Sequence, residues 1–534
     1  MLFNKLILSI VISSLSLLVF LNLGCQVVKN SEADSSALLE ADPIVPEEIE
    51  VYFHPYETTF KPIAELINDT QYTRIDIAMY SMEVNNSLII EALEAQRPRI
   101  DAGELQVRVI FQGYGNPCKK CLPLESLGVD VRQIDSKDVH HKFGIFYNQE
   151  NGSVMTGSGN WSNSSNQFYD ENMFRIRNHP GLASAYITEF QKLWAFHEPQ
   201  RQLTAQEQEL NRDDDPNNDV WDSWGKDLNI ESWPTDPSRA VEEGIIASFN
   251  SNNFKFSDTS AQTIVPKKFV LTNNLVKLID TATTTLDIAT PRISLRPVFD
   301  ALVRAAGRGV KIRIMSTEAE YEHPNSRDAS LRGQLFSCDL NQVLDSEGNV
   351  KAGALKKHFG RCCSQTRNTV EEDLYAEKCS TSQNHLKFLV EGEFPGAENI
   401  AIRLKLFTWF PNGQSISKQM HAKFTIADNR FLMAGSFNYS YNSEYGLFEN
   451  VITVDGTRYP NTLTSTKEKF ERMYERNRDE FAVFQQALEE AHRDKTKIDC
   501  PEIMFSLTYD EIEHFLATRQ RHNQYRSLKM ACNE

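Results

Sequence analysis

Hydrophobic and polar positions fall into short blocks along this chain, and the blocks occur twice. Arg74-Ile75-Asp76-Ile77-Ala78 is answered by Thr285-Leu286-Asp287-Ile288-Ala289, each a strand-like run with one inward polar residue. A helical stretch follows each run, at residues 87–96 and 297–307. Then come Gln106-Val107-Arg108-Val109-Ile110 and Lys311-Ile312-Arg313-Ile314-Met315, apolar and β-branched as buried strands are. Strands alternating with helices predict an α/β sandwich in each half. We place the first half at residues 51–203 and the second at 245–492, followed by a C-terminal extension at 493–534. An insertion at about residues 318–397 interrupts the second half. Between the halves, residues 204–244 form an acidic stretch in which Asp213-Asp214-Asp215-Pro216-Asn217-Asn218-Asp219 precedes Trp221, Trp224 and Trp233. Asn218 stands where a calcium loop needs glycine, so we read the stretch as a solvated linker.

The repeat is sharpest further along each half. One half reads Val139-His140-His141-Lys142-Phe143-Gly144-Ile145-Phe146, a polar turn, then Thr156-Gly157-Ser158-Gly159-Asn160-Trp161-Ser162 at the end of the return strand. The other reads Met420-His421-Ala422-Lys423-Phe424-Thr425-Ile426-Ala427-Asp428, a turn, then Ala434-Gly435-Ser436-Phe437-Asn438-Tyr439-Ser440. Two apolar runs around a polar turn predict a hairpin. Side chains alternate faces along a strand, so His140 shares a face with Lys142, and His421 with Lys423. The same parity pairs Ser158 with Asn160 and Ser436 with Asn438. Each hairpin leads to an acid followed by asparagine, Glu171-Asn172 and Glu449-Asn450. From His140 the intervals to Asn160 and Glu171 are 20 and 31 residues; from His421 to Asn438 and Glu449 they are 17 and 28. Both differ by three, so one longer turn near residues 148–152 accounts for both.

This doubled pattern resembles the phospholipase D superfamily, whose signature is His-x-Lys-x4-Asp followed by Gly-Ser/Gly-x-Asn. The resemblance covers about residues 51–197 and 245–492. His421, Lys423 and Asp428 match in full; His140 and Lys142 match, but Tyr147 stands at the Asp position. That position ends its strand on the parity opposite to the histidine, so it should brace the turn more than touch substrate. Glu150 could take over part of that task. We read Tyr147 as a tolerated departure, against the rival reading of a degenerate half-site in a protein that binds without turnover. The resemblance implies two similar α/β/α sandwich halves packed about a pseudo-twofold axis, with both motifs meeting at one centre. It also implies His140 as nucleophile and His421 as general acid, with His141 a minor contender for the first role.

The residue types suit phosphodiester chemistry. A neutral imidazole attacks phosphorus, a protonated one donates to the leaving oxygen, and a phosphohistidine carries the reaction between them. Glu171 and Glu449 are expected to bond the far nitrogen of each ring and set its tautomer. Lys142, Lys423, Asn160 and Asn438 would hold the non-bridging oxygens, with Ser158 and Ser436 as further phosphate contacts or as turn-forming residues. No metal or other cofactor is expected.

Export changes the picture next. Residues 1–5 carry one lysine, residues 6–23 are almost wholly apolar, and Gly24-Cys25 follows. That layout resembles a bacterial lipoprotein signal with Cys25 as the lipidated residue, although Asn22 replaces the usual leucine; an uncleaved anchor and ordinary secretion are the alternatives. Acidic residues 26–50 then read as a tether. The expected location is the bacterial cell envelope, lipid-anchored at the outer membrane, or secreted. Of nine cysteines, Cys25 leaves eight: Cys118, Cys121, Cys338, Cys362, Cys363, Cys379, Cys500 and Cys532. An even count in an exported chain fits disulfides better than half a zinc site at Cys118 and Cys121. With 56 Lys+Arg against 73 Asp+Glu among 534 residues, the net charge is −17. Acidity argues against a general nucleic-acid coat protein and tilts the substrate toward phospholipid; an exported nuclease stays open through Lys119, Lys120, Lys267 and Lys268. A monomer is expected.

Overall fold

Each half of the chain builds one sheet, and the two sheets share a strand order. Edge to edge, the first runs Glu50–His54, Glu171–Ile176, Gly152–Gly157, Lys142–Tyr147, Arg74–Met79, Gln106–Gln112, Asp130–Ile134. The second runs Ile245–Phe249, Asn450–Asp455, Phe431–Gly435, Phe424–Ala427, Thr285–Ala289, Lys311–Thr317, Ile400–Phe407, with Met504–Thr508 added at the far edge. The last three strands of the shared order are parallel in both sheets, and the others pair antiparallel with their neighbours. These relations come from a computed structural model, which describes residues 49–112, 121–134, 138–196, 244–317, 394–407, 419–494 and 504–511 apart from short gaps inside those stretches. The expected signal and nearly all of the expected tether, the linker at 204–243, nearly all of the insertion, and Lys119, Lys120, Lys267 and Lys268 lie outside the described residues, as do all cysteines except Cys121. Cys121 is disulfide-bonded.

Three apolar clusters hold the layers together. The outer face of the first sheet packs Ile75, Ile77 and Val107 against Ile63 and Leu66 of the helix Phe60–Asn68 and Leu93 of Leu88–Ala95. In the second half Leu286, Ile288 and Ile312 pack against Leu275 of Val270–Thr281 and Leu302 of Arg296–Gly307. The inner faces, with the helices Pro180–Phe196 and Pro460–Tyr474, merge into one cluster that includes Phe53, Phe143, Phe174 and Tyr186 from one half and Phe424, Phe448, Ile452 and Phe470 from the other. Each sheet is therefore sandwiched between helices, and the halves share a core. Fully burying side chains of this size contributes about 2–3 kcal/mol each. All of this lies in the compact unit Pro46–Glu534.

The inward polar residue of each first strand is explained by its parallel neighbour. Asp76 accepts two hydrogen bonds from Arg108 at 2.7 and 2.8 Å, and Asp287 accepts two from Arg313 at the same distances. Arg108 also stacks over Phe190 and Trp194, and Arg313 over Phe470 and Tyr474. The second half extends beyond residue 492: Met504–Thr508, set apart above as extension, pairs with Ile400–Phe407 and buries Phe505 and Leu507. Its alternating apolar residues make it a strand once a sheet edge is available.

Candidate active site

Backbone pairing across the two halves brings the motifs together. Asp138–Val139, just before His140, runs parallel to Leu447–Phe448, just before Glu449, and the His140 amide donates to the Phe448 carbonyl at 3.0 Å. On the pseudo-symmetric side Met420 bridges Asp170, and the His421 amide donates to the Asp170 carbonyl at 2.9 Å. Each histidine is thereby delivered to the other half's glutamate. His140 Nδ1 lies 2.9 Å from Glu449 Oε2, and His421 Nδ1 lies 2.8 Å from Glu171 Oε1. Both carboxylates are fully buried. They occupy Nδ1, so Nε2 of each ring is the nitrogen left to face a phosphodiester.

The glycine and the asparagine of the repeat have structural reasons. A Cβ on Gly157 would sit 2.1 Å from the Asn172 carbonyl oxygen, and one on Gly435 would sit 2.2 Å from that of Asn450. Only glycine permits this approach, in which the Ser158 and Ser436 amides donate to those carbonyls. Asn172 Oδ1 accepts from the Lys423 amide at 2.9 Å, and Asn450 Nδ2 donates to Thr156 and Tyr186. The asparagines thus tie the halves together beside the site.

Lys142 and Lys423 lie over the centre with their ammonium groups donating to the His140 and His421 carbonyls at 2.7 and 2.6 Å. Burial, outweighing Glu449, lowers Lys142 to about 7, and burial likewise lowers Lys423 to about 8. Burial, Lys142 and Lys423 hold His140 well below the ordinary imidazole value; His421 is also lowered by burial, against which Glu171 pulls upward. Burial raises Glu449 to about 7, whereas His421, Lys423 and Ser158 overcome burial and hold Glu171 below its usual value. The cause is visible in the bonds. Glu171 accepts from Ser158 at 2.7 Å and Ser165 at 2.8 Å besides its bond to His421, whereas for Glu449 the interactions with Ser436 and Ser443 are too weak to offset burial. Asn160 and Asn438 each carry a buried side-chain oxygen without a partner among the described residues.

Three expectations are corrected here, those for Ser158 and Ser436, for Glu150 and for His141, while Asp428 is a brace as its strand parity implied. Ser158 and Ser436 are not phosphate contacts: both are fully buried, Ser158 bonds Glu171, and each hydroxyl accepts from the amide of Asn172 or Asn450. Asp428 is at the opposite end of its strand from His421. Its carboxylate accepts from the amides of Thr283, Thr284 and Thr285, which lower it to about 2 against burial. Tyr147 fills the equivalent place by turning inward, where its hydroxyl donates to Asp76 at 2.8 Å, and Asn148 rather than Glu150 braces the first turn through the amides of Glu150 and Asn151. His141 is no nucleophile candidate, because Asn450 and Glu189 occupy its two ring nitrogens. Both turn-end residues are therefore structural. Asp428→Ala and Tyr147→Phe should each lower unfolding free energy by about 1–2 kcal/mol in urea melts while leaving turnover close to unchanged.

Residues missed in the sequence include Ser165 and Ser443, whose spacing from Glu171 and Glu449 repeats as Ser-x-x-Ser-x5-Glu-Asn. The rings of Tyr80 and Tyr169 also flank the site, centred 5.1 Å from His140 and 6.0 Å from His421. Among the described residues no group of three or more His, Cys, Asp or Glu is arranged to hold a metal ion, and no helix is long and apolar enough to cross a membrane.

A family model described as "Cardiolipin synthase, PLD-like domain" matches residues 63–194 and 275–474, more than half of the chain and both candidate half-sites. The chain belongs to the phospholipase D superfamily. Mitochondrial cardiolipin hydrolase of Xenopus laevis is 34% identical over 99 residues, covering 18% of this chain and 45% of that protein. The Xenopus tropicalis protein of the same name is 37% identical over 78 residues, 14% of this chain and 35% of its own length. This chain thus spans less than half the length of these curated relatives. Phosphatidylserine synthase of Haemophilus influenzae Rd KW20 is similar at 12% identity, with a TM-score of 0.45, covering 80% of this chain and 86% of that one.

Proposed function

We propose that this phospholipase D-like chain cleaves phosphodiesters of phospholipid head groups through a phosphohistidine on His140, with His421 as general acid. The observation that supports it most is the crossed pairing of His140 with Glu449 and His421 with Glu171 inside one buried, lysine-lined centre. Neutral His140 attacks through Nε2 while Lys142, Lys423, Asn160 and Asn438 take up the growing charge on the non-bridging oxygens. His421, held by an ionised Glu171, donates to the leaving alcohol and then accepts a proton from the attacking water. The names of the family model and of the Xenopus relatives favour a phospholipid as substrate, and the apolar N-terminal stretch ending in Cys25 is consistent with work at a membrane surface.

Head-group release from phosphatidylcholine, phosphatidylethanolamine and cardiolipin vesicles, with and without EDTA and beside plasmid cleavage, tests this reading. We expect release that survives EDTA and is lost in His421→Ala; plasmid cleavage without lipid turnover would transfer the proposal to nucleic acid, and neither activity would overturn it. The rate should also be bell-shaped in pH. It should rise as His140, held well below the ordinary imidazole value by burial and the lysines, loses its proton, and fall as the general acid His421, lowered less, loses its own and as Lys142 and Lys423 discharge at about pH 7 and 8.

A further inference from the structure

The last residue of the first edge strand, His54, is fully buried and takes no part in the chemistry above. Its Nδ1 lies 3.0 Å from the Ser165 carbonyl oxygen and its Nε2 lies 3.0 Å from Thr59 Oγ1. A carbonyl only accepts, so Nδ1 carries the proton, and in the neutral ring Nε2 accepts from Thr59. Ser165 in turn donates its hydroxyl to Glu171 at 2.8 Å, and Glu171 bonds His421 at 2.8 Å. A continuous buried chain therefore runs Thr59, His54, Ser165, Glu171, His421.

The other half repeats the arrangement with a different residue. Phe53 pairs with Asn172 and Phe249 with Asn450 in register, which makes Asn250 the counterpart of His54. Asn250 Nδ2 donates to the Ser443 carbonyl at 2.7 Å, the same bond that His54 makes to Ser165, and also to the Glu444 and Leu447 carbonyls. Its Oδ1 accepts from the Glu449 amide at 2.7 Å. Two independent sequences thus place a side-chain donor on the carbonyl of the serine that faces the active-site glutamate.

We infer that His54 and Asn250 are positioning residues, each holding the serine turn that aims its glutamate at the histidine of the opposite half. This rests on the proposed phosphohistidine chemistry only for its rate effects. Residues that orient a metal ligand from one bond further out change activity by about 10–100-fold, and we take the same scale for a residue that orients a catalytic carboxylate.

The fold supplies its own conservative variant, since asparagine already does this work at residue 250. His54→Leu removes the donor and keeps the volume apolar; His54→Asn restores a donor. In the full-length chain, His54→Leu should lower kcat about 10-fold or more with KM changed less than about twofold, and His54→Asn should recover most of that kcat. The companion readout needs no turnover: the 15N shift of His421 Nδ1, which reports its bond to Glu171, should move in His54→Leu and return toward wild type in His54→Asn. Equal loss of kcat in both variants, or an unmoved His421 resonance in a folded His54→Leu, would overturn the proposal. If wild type turns over no phosphodiester, the functional reading fails while the resonance comparison still decides the role of His54.

Discussion

His140→Gln should abolish turnover of every phosphodiester, whereas His421→Gln should keep the first, covalent step wherever the leaving group needs no proton. General-acid catalysis contributes about 10²–10⁴-fold, so His421→Gln should slow head-group release by about 10³-fold. With a p-nitrophenyl diester, whose leaving group departs as the anion, the same variant should show a rapid burst of one equivalent followed by slow turnover, because the phosphohistidine then lacks the base that activates water. The asymmetry of the site motivates this assignment. Glu171 is held ionised by three bonds and pulls the His421 imidazole toward its charged form, while Glu449 lies at about 7 and faces a ring that burial and two lysines keep neutral. A burst in His140→Gln and none in His421→Gln would reverse the roles; a burst in neither would exclude the covalent intermediate.

The architecture was legible because it is written twice. The paired strand runs, the hairpins and the common three-residue offset to Asn160/Asn438 and Glu171/Glu449 all hold in the fold, since strand parity and buried periodicity follow from local geometry. What the sequence did not disclose are the relations that cross the chain. Nothing local to His140 says that its carboxylate is Glu449, some 309 residues away, instead of Glu171. The serines misled for the same reason. Ser158 shares a face with Asn160, but the glycine before it lets Asn172 approach so closely that the hydroxyl is spent on Glu171 and the backbone. Tyr147 stands where the other half has Asp428, yet its hydroxyl bonds Asp76 and it is Asn148 that braces the first turn. His54 was passed over because a histidine ending an edge strand has no local signal; its counterpart is an asparagine, so the repeat is chemical and not literal.

Asp170→Ala should be the most destabilising single substitution outside the apolar core, by about 3–5 kcal/mol in a denaturant melt. Its fully buried carboxylate accepts from Arg476 at 2.7 and 2.9 Å and pairs with the equally buried Lys405 at 2.9 Å. Burial alone would raise the Asp170 carboxyl, but Arg476 and Lys405 outweigh it and hold the group ionised. Removing it leaves two cations in a desolvated interface between the halves. The position is also the one where His421 is hung, since its amide bonds the Asp170 carbonyl and the Asp170 amide bonds the Gln419 carbonyl. Turnover should therefore fall along with stability. The opposite half shows that the charges are not obligatory: Phe448 stands in the equivalent place, packed edge-on against Phe254 and stacked over His141, and it hangs His140 by the same backbone bond. Replacing the whole network by Asp170→Leu, Lys405→Met and Arg476→Met should consequently recover much of the stability lost in Asp170→Ala, because a buried ionic cluster exchanged for well-packed apolar side chains is often neutral. If the triple variant is as unstable as Asp170→Ala, the ionic cluster itself, and not merely the avoidance of unpaired charge, stabilises the docking of the two halves.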